Sequence, residues 1–445
     1  MKTRSRRLLE SSKKAGYLGK KIYRQALEAQ AEGRPTAWAM ASFSPADLIL
    51  KALDVEIVYP ENWGALCASR RLAEEYLNNS DSDGFPTSIC GYARNTIGYT
   101  KKLAENNFII PNDAPAGGMA KPVVLLGSGV ICDTRFKWFQ ALRKYMDVPI
   151  YVLESPQPGV KESLIGGVKK QNVKYMADDC KKFLGFIENL LGKKMDWDKL
   201  EELTDRFERS LRLINKIDKL RQAVPSPMVG QDFWTCMIGL FMAYDIEALE
   251  MFEELYNEVK YRVDHKIEAI VNEKYRVIFG EIPPWHSLDF FDDIADEFGI
   301  AIVMESYAYH YNSPPLEEDL EKATDPIERV CYWTYNHFTQ NHAASAYHMD
   351  VQPGYLVQPY INWAEEYKAD GAIFHPLMSC RPVGYTMIHT SNLLNKLVNV
   401  PSIMVEGDMV DLRVFNKQEA KDRVAAFLET MDFYRDIRAE KRITK

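Results

Sequence analysis

Short apolar runs rich in β-branched residues alternate with longer helical patterns along this chain, and no other feature restricts its fold as strongly. The runs are nearly continuous in apolar residues, which is typical of strands buried on both faces of a parallel sheet. They lie at 54–62, 121–132, 148–158, 273–285, 298–306, 368–380 and 400–411. This strand–helix alternation predicts an α/β fold with doubly wound, flavodoxin-like parallel sheets.

Two stretches lack strand patterns and divide the chain. Residues 5–32 carry apolar side chains at helical spacing and predict an N-terminal helix, and residues 166–272 are helical in period throughout. The sequence therefore predicts two α/β domains with a helical segment between them. The predicted parts are an N-terminal helical arm (1–32), a first α/β domain (33–165), a helical segment (166–272) and a second α/β domain with a C-terminal helix (273–445).

The bulk properties of the 445-residue chain exclude several classes of protein. Its net charge of −8 argues against a nucleic-acid-binding protein. The longest apolar stretch is shorter than a membrane span, and no apolar segment of a signal peptide follows the basic N-terminus. Seven cysteines without a close pair are a poor disulfide framework. We therefore expect a cytoplasmic protein that binds neither nucleic acid nor membranes.

Three of the cysteines lie where the chain is about to enter a helix. They are Cys90 in SICGYARNTIGY, Cys132 in VVLLGSGVICDTRFKWFQ and Cys380 in DGAIFHPLMSCRPVGY. Because the N-terminal N–H groups and the dipole of a helix favour the thiolate, we expect these thiols to ionise easily. Three thiolates gathered by the fold at one point could hold an iron–sulfur cluster with one iron left open. The other cysteines lie inside helical patterns and are assigned to packing: Cys67, Cys180, Cys236 and Cys331.

The residues alone leave other interpretations open. Buried cysteines are common and inert, and three cysteines with His375 would form a zinc ligand set, although the tight ligand pair usual in structural zinc sites is missing. His286, after a strand end and a Pro–Pro turn, is either a proton donor or a histidine that anchors its loop by hydrogen bonds. Glu61 ends a strand beside a proline and is either a base or a structural cap.

Six segments, taken in order, resemble the benzoyl-CoA reductase and 2-hydroxyacyl-CoA dehydratase family. They are YPENWGALCA, SICGYARNTIGY, GSGVICDTRFKWFQ, QAVPSPMVGQDFW, IFGEIPPWHSL and HPLMSCRP. The resemblance covers nearly the whole chain. In detail it is closest to the larger, substrate-side subunit of ATP-dependent benzoyl-CoA reductase.

This resemblance implies a cofactor, a substrate and partners. The cluster cysteines of the family fall on Cys90, Cys132 and Cys380, which would hold a [4Fe–4S] cluster whose fourth iron faces an aromatic acyl-CoA thioester. A homologous second cluster-binding subunit would complete a pseudo-symmetric heterodimer. A separate iron–sulfur ATPase activator, supplied indirectly by ferredoxin, would deliver single low-potential electrons.

The sequence thus favours a catalytic subunit that passes electrons to the aromatic ring and yields a cyclic dienoyl-CoA. His286 and Glu61 are the residues predicted to handle protons. The alternatives are a subunit that removes water from a 2-hydroxyacyl-CoA by a radical mechanism, and a cluster-bearing scaffold without a catalytic role. Dehydratase subunits of the family tend to carry a hydroxyl residue after the tryptophan of an early GRP-x-x-W segment, and Ala39 in that place favours the reductase.

Overall fold

The architecture is that of a computed structural model, which describes residues 4–41, 44–129, 132–156, 166–309, 315–336, 357–384 and 387–443. Two four-stranded sheets, each entirely parallel, organise these residues. The prediction of an α/β fold with two doubly wound sheets is therefore confirmed. The ends of two predicted strand runs, at 130–131 and 157–158, lie outside the described residues.

The two sheets have the same strand order. The first contains β1 (Thr36–Ala39), β2 (Glu56–Val58), β3 (Val124–Ser128) and β4 (Ile150–Leu153), in the order β2-β1-β3-β4. The second contains β5 (Tyr275–Gly280), β6 (Ile300–Glu305), β7 (Gly371–Phe374) and β8 (Ser402–Met404), in the order β6-β5-β7-β8. In both, the first strand along the chain pairs with the second and third, which is the flavodoxin-like arrangement.

Helices surround both sheets and fill the stretch between them. Those of the first half are α1 (Ser12–Ala31), α2 (Ser44–Ala52), α3 (Pro60–Ser69), α4 (Ala73–Ser82), α5 (Gly91–Glu105) and α6 (Thr134–Leu142). The intervening stretch contains α7 (Gly166–Leu191), α8 (Trp197–Arg221), α9 (Gly230–Cys236), α10 (Ile238–Phe241) and α11 (Ile246–Asp264). The second half contains α12 (Asp289–Phe298), α13 (Ser306–Tyr309), α14 (Glu317–Glu321), α15 (Pro326–Tyr335), α16 (Val357–Glu366), α17 (Arg381–Gly384), α18 (Met387–Val398) and α19 (Lys417–Ile443). None of the described helices is both long enough and apolar enough to cross a membrane.

The N-terminal helix begins at Ser12, so the prediction that it begins at residue 5 is wrong. The preceding residues run beside 269–271, where Arg7 N–H donates to the Ala269 carbonyl at 2.8 Å. The Glu258 carboxylate of α11 then accepts the backbone N–H groups of residues 10 and 11, at 3.0 and 2.9 Å. A carboxylate at this end satisfies N–H groups that the helix itself cannot pair.

A buried ion pair joins the helical stretch to the second sheet. Arg221, at the end of α8, donates to the carboxylate of Glu305, the last residue of β6, and both side chains are fully buried. Asp218 lies 3.4 Å from the same guanidinium. Since an unpaired charge in such a place is costly, this contact fixes how α8 meets the sheet.

Helix α5, which follows Cys90, packs unusually close to α4. A Cβ atom built on Gly98 would lie 1.7 Å from the carbonyl oxygen of Tyr76. Only glycine permits that approach, because any side chain would overlap the neighbouring backbone. The position of α5, and with it the direction in which its N-terminus points, is therefore set by backbone contact with α4.

Candidate functional site

The structure brings the three predicted cysteines together from both halves of the molecule. Cys90 immediately precedes α5, Cys132 stands two residues before α6, and Cys380 immediately precedes α17. The charges of Cys380 and Cys132 both act on the Cys90 thiol. Because such effects weaken with distance and screening, this places all three sulfurs in one neighbourhood.

The site cysteines differ from the rest in exposure. Cys90, Cys132 and Cys380 are partly exposed, whereas the four cysteines assigned to packing are buried. None of the seven, all of which are described, forms a disulfide. Within the described ranges, no group of three or more His, Cys, Asp or Glu side chains is arranged to hold one metal ion.

The prediction that helix N-termini make these thiols easy to ionise is wrong for Cys90 and Cys132. Although Cys90 is partly exposed as a residue, dense protein surrounds its thiol, and burial followed by the Cys380 charge raises its pKa well above the usual value. Burial likewise raises the pKa of Cys132, although the Arg135 guanidinium opposes the shift. The expected amide donors are present, from Ala93 to Cys90 and from Thr134 and Arg135 to Cys132, but burial outweighs them.

Glu61 lies in the first turn of α3 and is engaged in a cap. Its Oε2 accepts the Ala41 backbone N–H at 2.7 Å, just after β1 ends, and lies 3.3 Å from Nη2 of Arg135. Arg135 also donates to the Ala41 carbonyl. The carboxylate therefore ties α3, α6 and the end of β1 together, while its part in proton transfer stays a prediction.

Both ring nitrogens of His286 are hydrogen bonded. Nε2 lies 3.0 Å from the carbonyl oxygen of Asp408, which can only accept, so Nε2 carries the proton of the neutral ring. Nδ1 lies 2.9 Å from the Ser287 hydroxyl. Burial lowers the pKa of His286, which favours that neutral form. These contacts give His286 an anchoring role; its role as a proton donor stays a prediction.

His375, which was the possible fourth ligand of a zinc site, is also engaged in a hydrogen bond within the fold. Its Nδ1 lies 2.7 Å from the Ile282 carbonyl oxygen, and its ring packs against Phe279 and Phe415. Burial lowers its pKa to about 4. The imidazole is therefore a neutral part of the packed core at the end of β7.

A cavity of about 400 Å³ lies between α1, helices α3 and α5 of the first half, α9–α10 and the loop after β5. Five of the residues that line it are aromatic: Tyr92, Trp234, Phe241, Trp285 and Tyr307. Glu61 lines it too, and Lys20 and Arg70 stand exposed at its edge. Tyr92 and Glu61 relate the cavity to two of the cysteines: besides burial, Cys90 contributes to the raised pKa of Tyr92, and the Glu61 carboxylate contributes to the raised pKa of Cys132. This size and lining are typical of a small-molecule site.

Sequence reasoning missed a strained glutamate next to this region. Glu281, directly after β5, has a φ of 87°, a region that non-glycine residues rarely occupy. It is buried, its N–H donates to the Ser306 hydroxyl at 3.1 Å, and its Oε1 accepts from the Tyr360 hydroxyl at 3.3 Å. Burial raises its pKa to about 7. A charged residue directly after a buried strand, as in IFGEIPPW, was the available signal.

Comparison with known proteins decides the family. Residues 42–431 match the family described as HGD-D: 2-hydroxyglutaryl-CoA dehydratase, D-component. The chain belongs to this family.

Curated relatives of the chain come from two kinds of enzyme. The lactoyl-CoA dehydratase alpha subunit of Anaerotignum propionicum is 24% identical and is matched over 94% of this chain and 95% of its own length. The (R)-2-hydroxyisocaproyl-CoA dehydratase alpha subunit of Clostridioides difficile is 26% identical, with 92% and 93% covered. One subunit of the benzoyl-CoA reductase of Thauera aromatica is 23% identical, with 88% of each chain covered. The family thus joins dehydratase and reductase subunits that act on CoA thioesters, and the chain is similar to both.

Proposed function

We propose that this chain is the substrate-side catalytic subunit of an enzyme that reduces an aromatic CoA thioester, with Cys90, Cys132 and Cys380 holding a [4Fe–4S] cluster. The observation that carries the proposal is a cavity with five aromatic lining residues, two of whose lining residues interact electrostatically with site cysteines. Tyr92 and Glu61 belong to its wall; besides burial, Cys90 contributes to the raised pKa of Tyr92, and Glu61 contributes to the raised pKa of Cys132. A flat acyl group in this cavity would lie next to the sulfurs.

The donor set suits such a cluster. A cluster places its thiolates on different irons, so its ligands need not converge as tightly as the ligands of a single ion. Backbone N–H groups of Ala93, Thr134 and Arg135 are directed at two of the sulfurs, and hydrogen bonds to sulfur are among the features that tune a cluster. Mutual repulsion among buried thiolates would be offset by the positive charge of iron. When bound, the cluster would supply low-potential single electrons and a Lewis-acidic iron.

The chain's own residues would bind and orient the substrate. The aromatic walls would sandwich the acyl group and exclude water, and Lys20 and Arg70 at the edge would attract the phosphates of the CoA tail. Trp285 Nε1–H donates to the Tyr92 hydroxyl oxygen. The Tyr92 hydroxyl proton is therefore directed to another acceptor, and Tyr92 could donate a proton into the cavity.

The proposal includes partners. A homologous second subunit would complete the enzyme, and an iron–sulfur ATPase activator fed by ferredoxin would supply electrons. Relatives named as alpha and beta subunits support the first part, among them the (R)-phenyllactyl-CoA dehydratase beta subunit of Clostridium sporogenes, 24% identical over 245 residues.

A dehydratase acting on a 2-hydroxyacyl-CoA is the second candidate, and the names of the relatives favour it as much as the reductase. Support for the reductase comes from Ala39, the buried end of β1, two residues before the backbone that Glu61 caps. A hydroxyl side chain there could assist a leaving hydroxyl group; a methyl group cannot.

Anaerobic reconstitution with the partner, the activator and ATP tests both candidates. With benzoyl-CoA and a 2-hydroxyacyl-CoA offered separately, we expect ATP-dependent ring reduction; water loss from the hydroxyacyl thioester alone would establish the dehydratase. If the reconstituted protein binds iron but converts neither thioester, the remaining interpretation is a cluster-bearing scaffold subunit without a catalytic role. Cys90→Ser should remove iron and activity, whereas the buried control Cys236→Ser should retain both.

A further inference from the structure

A serine hydroxyl links the chain beside one site cysteine to the chain beside another. Ser379 precedes Cys380 in the second half of the chain, and Gly91 follows Cys90 in the first. The Ser379 Oγ accepts the Gly91 backbone N–H at 3.0 Å. One buried hydrogen bond thus connects the residues next to two sulfurs from different halves of the molecule.

The orientation of that hydroxyl is fixed by a carboxylate. Ser379 donates its own proton to Oδ2 of Asp408, which is 1% exposed. The other oxygen of Asp408 accepts the backbone N–H groups of Val410 and Asp411, at 2.9 and 3.0 Å. His286 donates to the carbonyl of the same residue. Asp408 is therefore fixed by hydrogen bonds to both carboxylate oxygens and to its carbonyl, and it orients the Ser379 hydroxyl so that its oxygen accepts from the N-terminus of α5.

The close approach of α5 to this carboxylate requires glycine at position 91. A Cβ atom on Gly91 would lie 2.7 Å from Oδ1 of Asp408 and 3.1 Å from Cβ of Val410. One turn further along α5, Arg94 is buried and lies 3.3 Å from the Asp411 carboxylate. Two successive contacts thus dock the start of α5, where Cys90 lies, onto the loop at 408–411.

We propose that Ser379 and Asp408 are positioning residues that hold Cys90 and Cys380 at a fixed separation across the two halves, and that the Asp408 charge lowers the reduction potential of a cluster bound there. The effect on the reduction potential rests on the proposed function, because it requires a bound cluster; the effect on the separation of Cys90 and Cys380 does not. A negative charge close to a cluster disfavours the added electron, and Asp408 lies near enough to act on the Cys90 thiol.

The spacing is tested on the full-length chain without cluster, by the rate at which dibromobimane cross-links Cys90 to Cys380, with the joined peptides identified by mass spectrometry. Ser379→Ala removes the bridge and should slow the cross-link by about tenfold, as expected for loss of one buried charge-assisted hydrogen bond. The matched control is Ser210→Ala, which removes a buried hydroxyl that bonds the Ala243 carbonyl within the helical stretch. It should leave the rate unchanged.

Gly91→Ala provides a second, independent variant, because its methyl group would displace Asp408 while the hydroxyl remains; it should slow the cross-link as well. An unchanged rate in either variant, equal slowing in Ser210→Ala, or no Cys90–Cys380 cross-link in the parent chain overturns the positioning role.

Asp408→Asn removes the charge and keeps the shape: its one acceptor oxygen can still pair with the backbone N–H groups of Val410 and Asp411, and its NH2 group can donate to the Ser379 hydroxyl oxygen, which still accepts the Gly91 N–H. It should keep the cross-linking rate and raise the potential of the reconstituted cluster in a redox titration followed by EPR. A potential that stays the same or falls refutes the charge effect. If no variant or parent chain binds iron while the cross-linking results hold, the proposed function fails and the spacing role stands.

Discussion

Replacing Glu281 by glutamine is expected to stabilise the protein at pH 8 and to have little effect at pH 4. Burial raises the pKa of Glu281 from 4.5 to about 7, so between these pH values the folded chain keeps a proton that the unfolded chain has lost. The free energy of unfolding therefore falls as the pH rises from 4.5 to 7 and stays lower above it. At about 1.4 kcal/mol per pH unit over that interval, the loss is about 3 kcal/mol.

Glutamine avoids this loss, because it is neutral and still offers a carbonyl oxygen to the Tyr360 hydroxyl. Denaturant unfolding of parent and variant at several pH values, followed by circular dichroism, measures the difference. Glu305 and Asp232, whose pKa values burial raises to about 7 and about 6, are present in both proteins and cancel. A stability difference independent of pH, or a variant less stable at pH 8, would refute the reasoning.

Three further changes test contacts around the site. Arg221→Met leaves the Glu305 carboxylate buried without its cation and should lower the free energy of unfolding by about 3–5 kcal/mol in a denaturant titration. Gly98→Ala forces a methyl group into the Tyr76 carbonyl and should prevent normal packing of α5, seen as loss of soluble, cooperatively unfolding protein; a stable variant would show that α4 and α5 can separate. Glu61→Gln keeps the acceptor for the backbone N–H after β1, so retained kcat would assign Glu61 to the cap, whereas a large fall in kcat at unchanged stability would assign it to proton transfer.

The sequence predicted most strands because a buried parallel strand needs a continuous apolar run, and such runs are visible without the fold. It missed β1, whose residues TAWA are too few and too rich in alanine to stand out. Its strand character comes from hydrogen bonding to β2 and β3 on either side, which only the assembled sheet supplies. The start of α1 was misplaced for a similar reason, since Glu258, far away in the chain, caps it.

Within the site, position was easier to predict than chemistry. The cysteines could be singled out because residues that precede helices are recognisable in sequence. The raised pKa values of Cys90 and Cys132 could not be predicted, because burial of a sulfur depends on residues from distant parts of the chain that pack around it. The cavity was missed as well, since its wall combines α1, α9 and the loop at Trp285, which are distant in sequence. Glu281 was not predicted, because its strain lies in a backbone φ angle that the sequence does not reveal.

The repeated strand order also bears on how the molecule could open. Cys132 and Cys380 follow β3 and β7, which occupy equivalent places in the two sheets, so both lie beyond the carboxyl ends of matching strands. A hinge motion that parted the halves would pull these sulfurs away from each other. A cluster bound by cysteines of both halves would therefore hold the halves together, because a ligand stabilises the conformation that binds it.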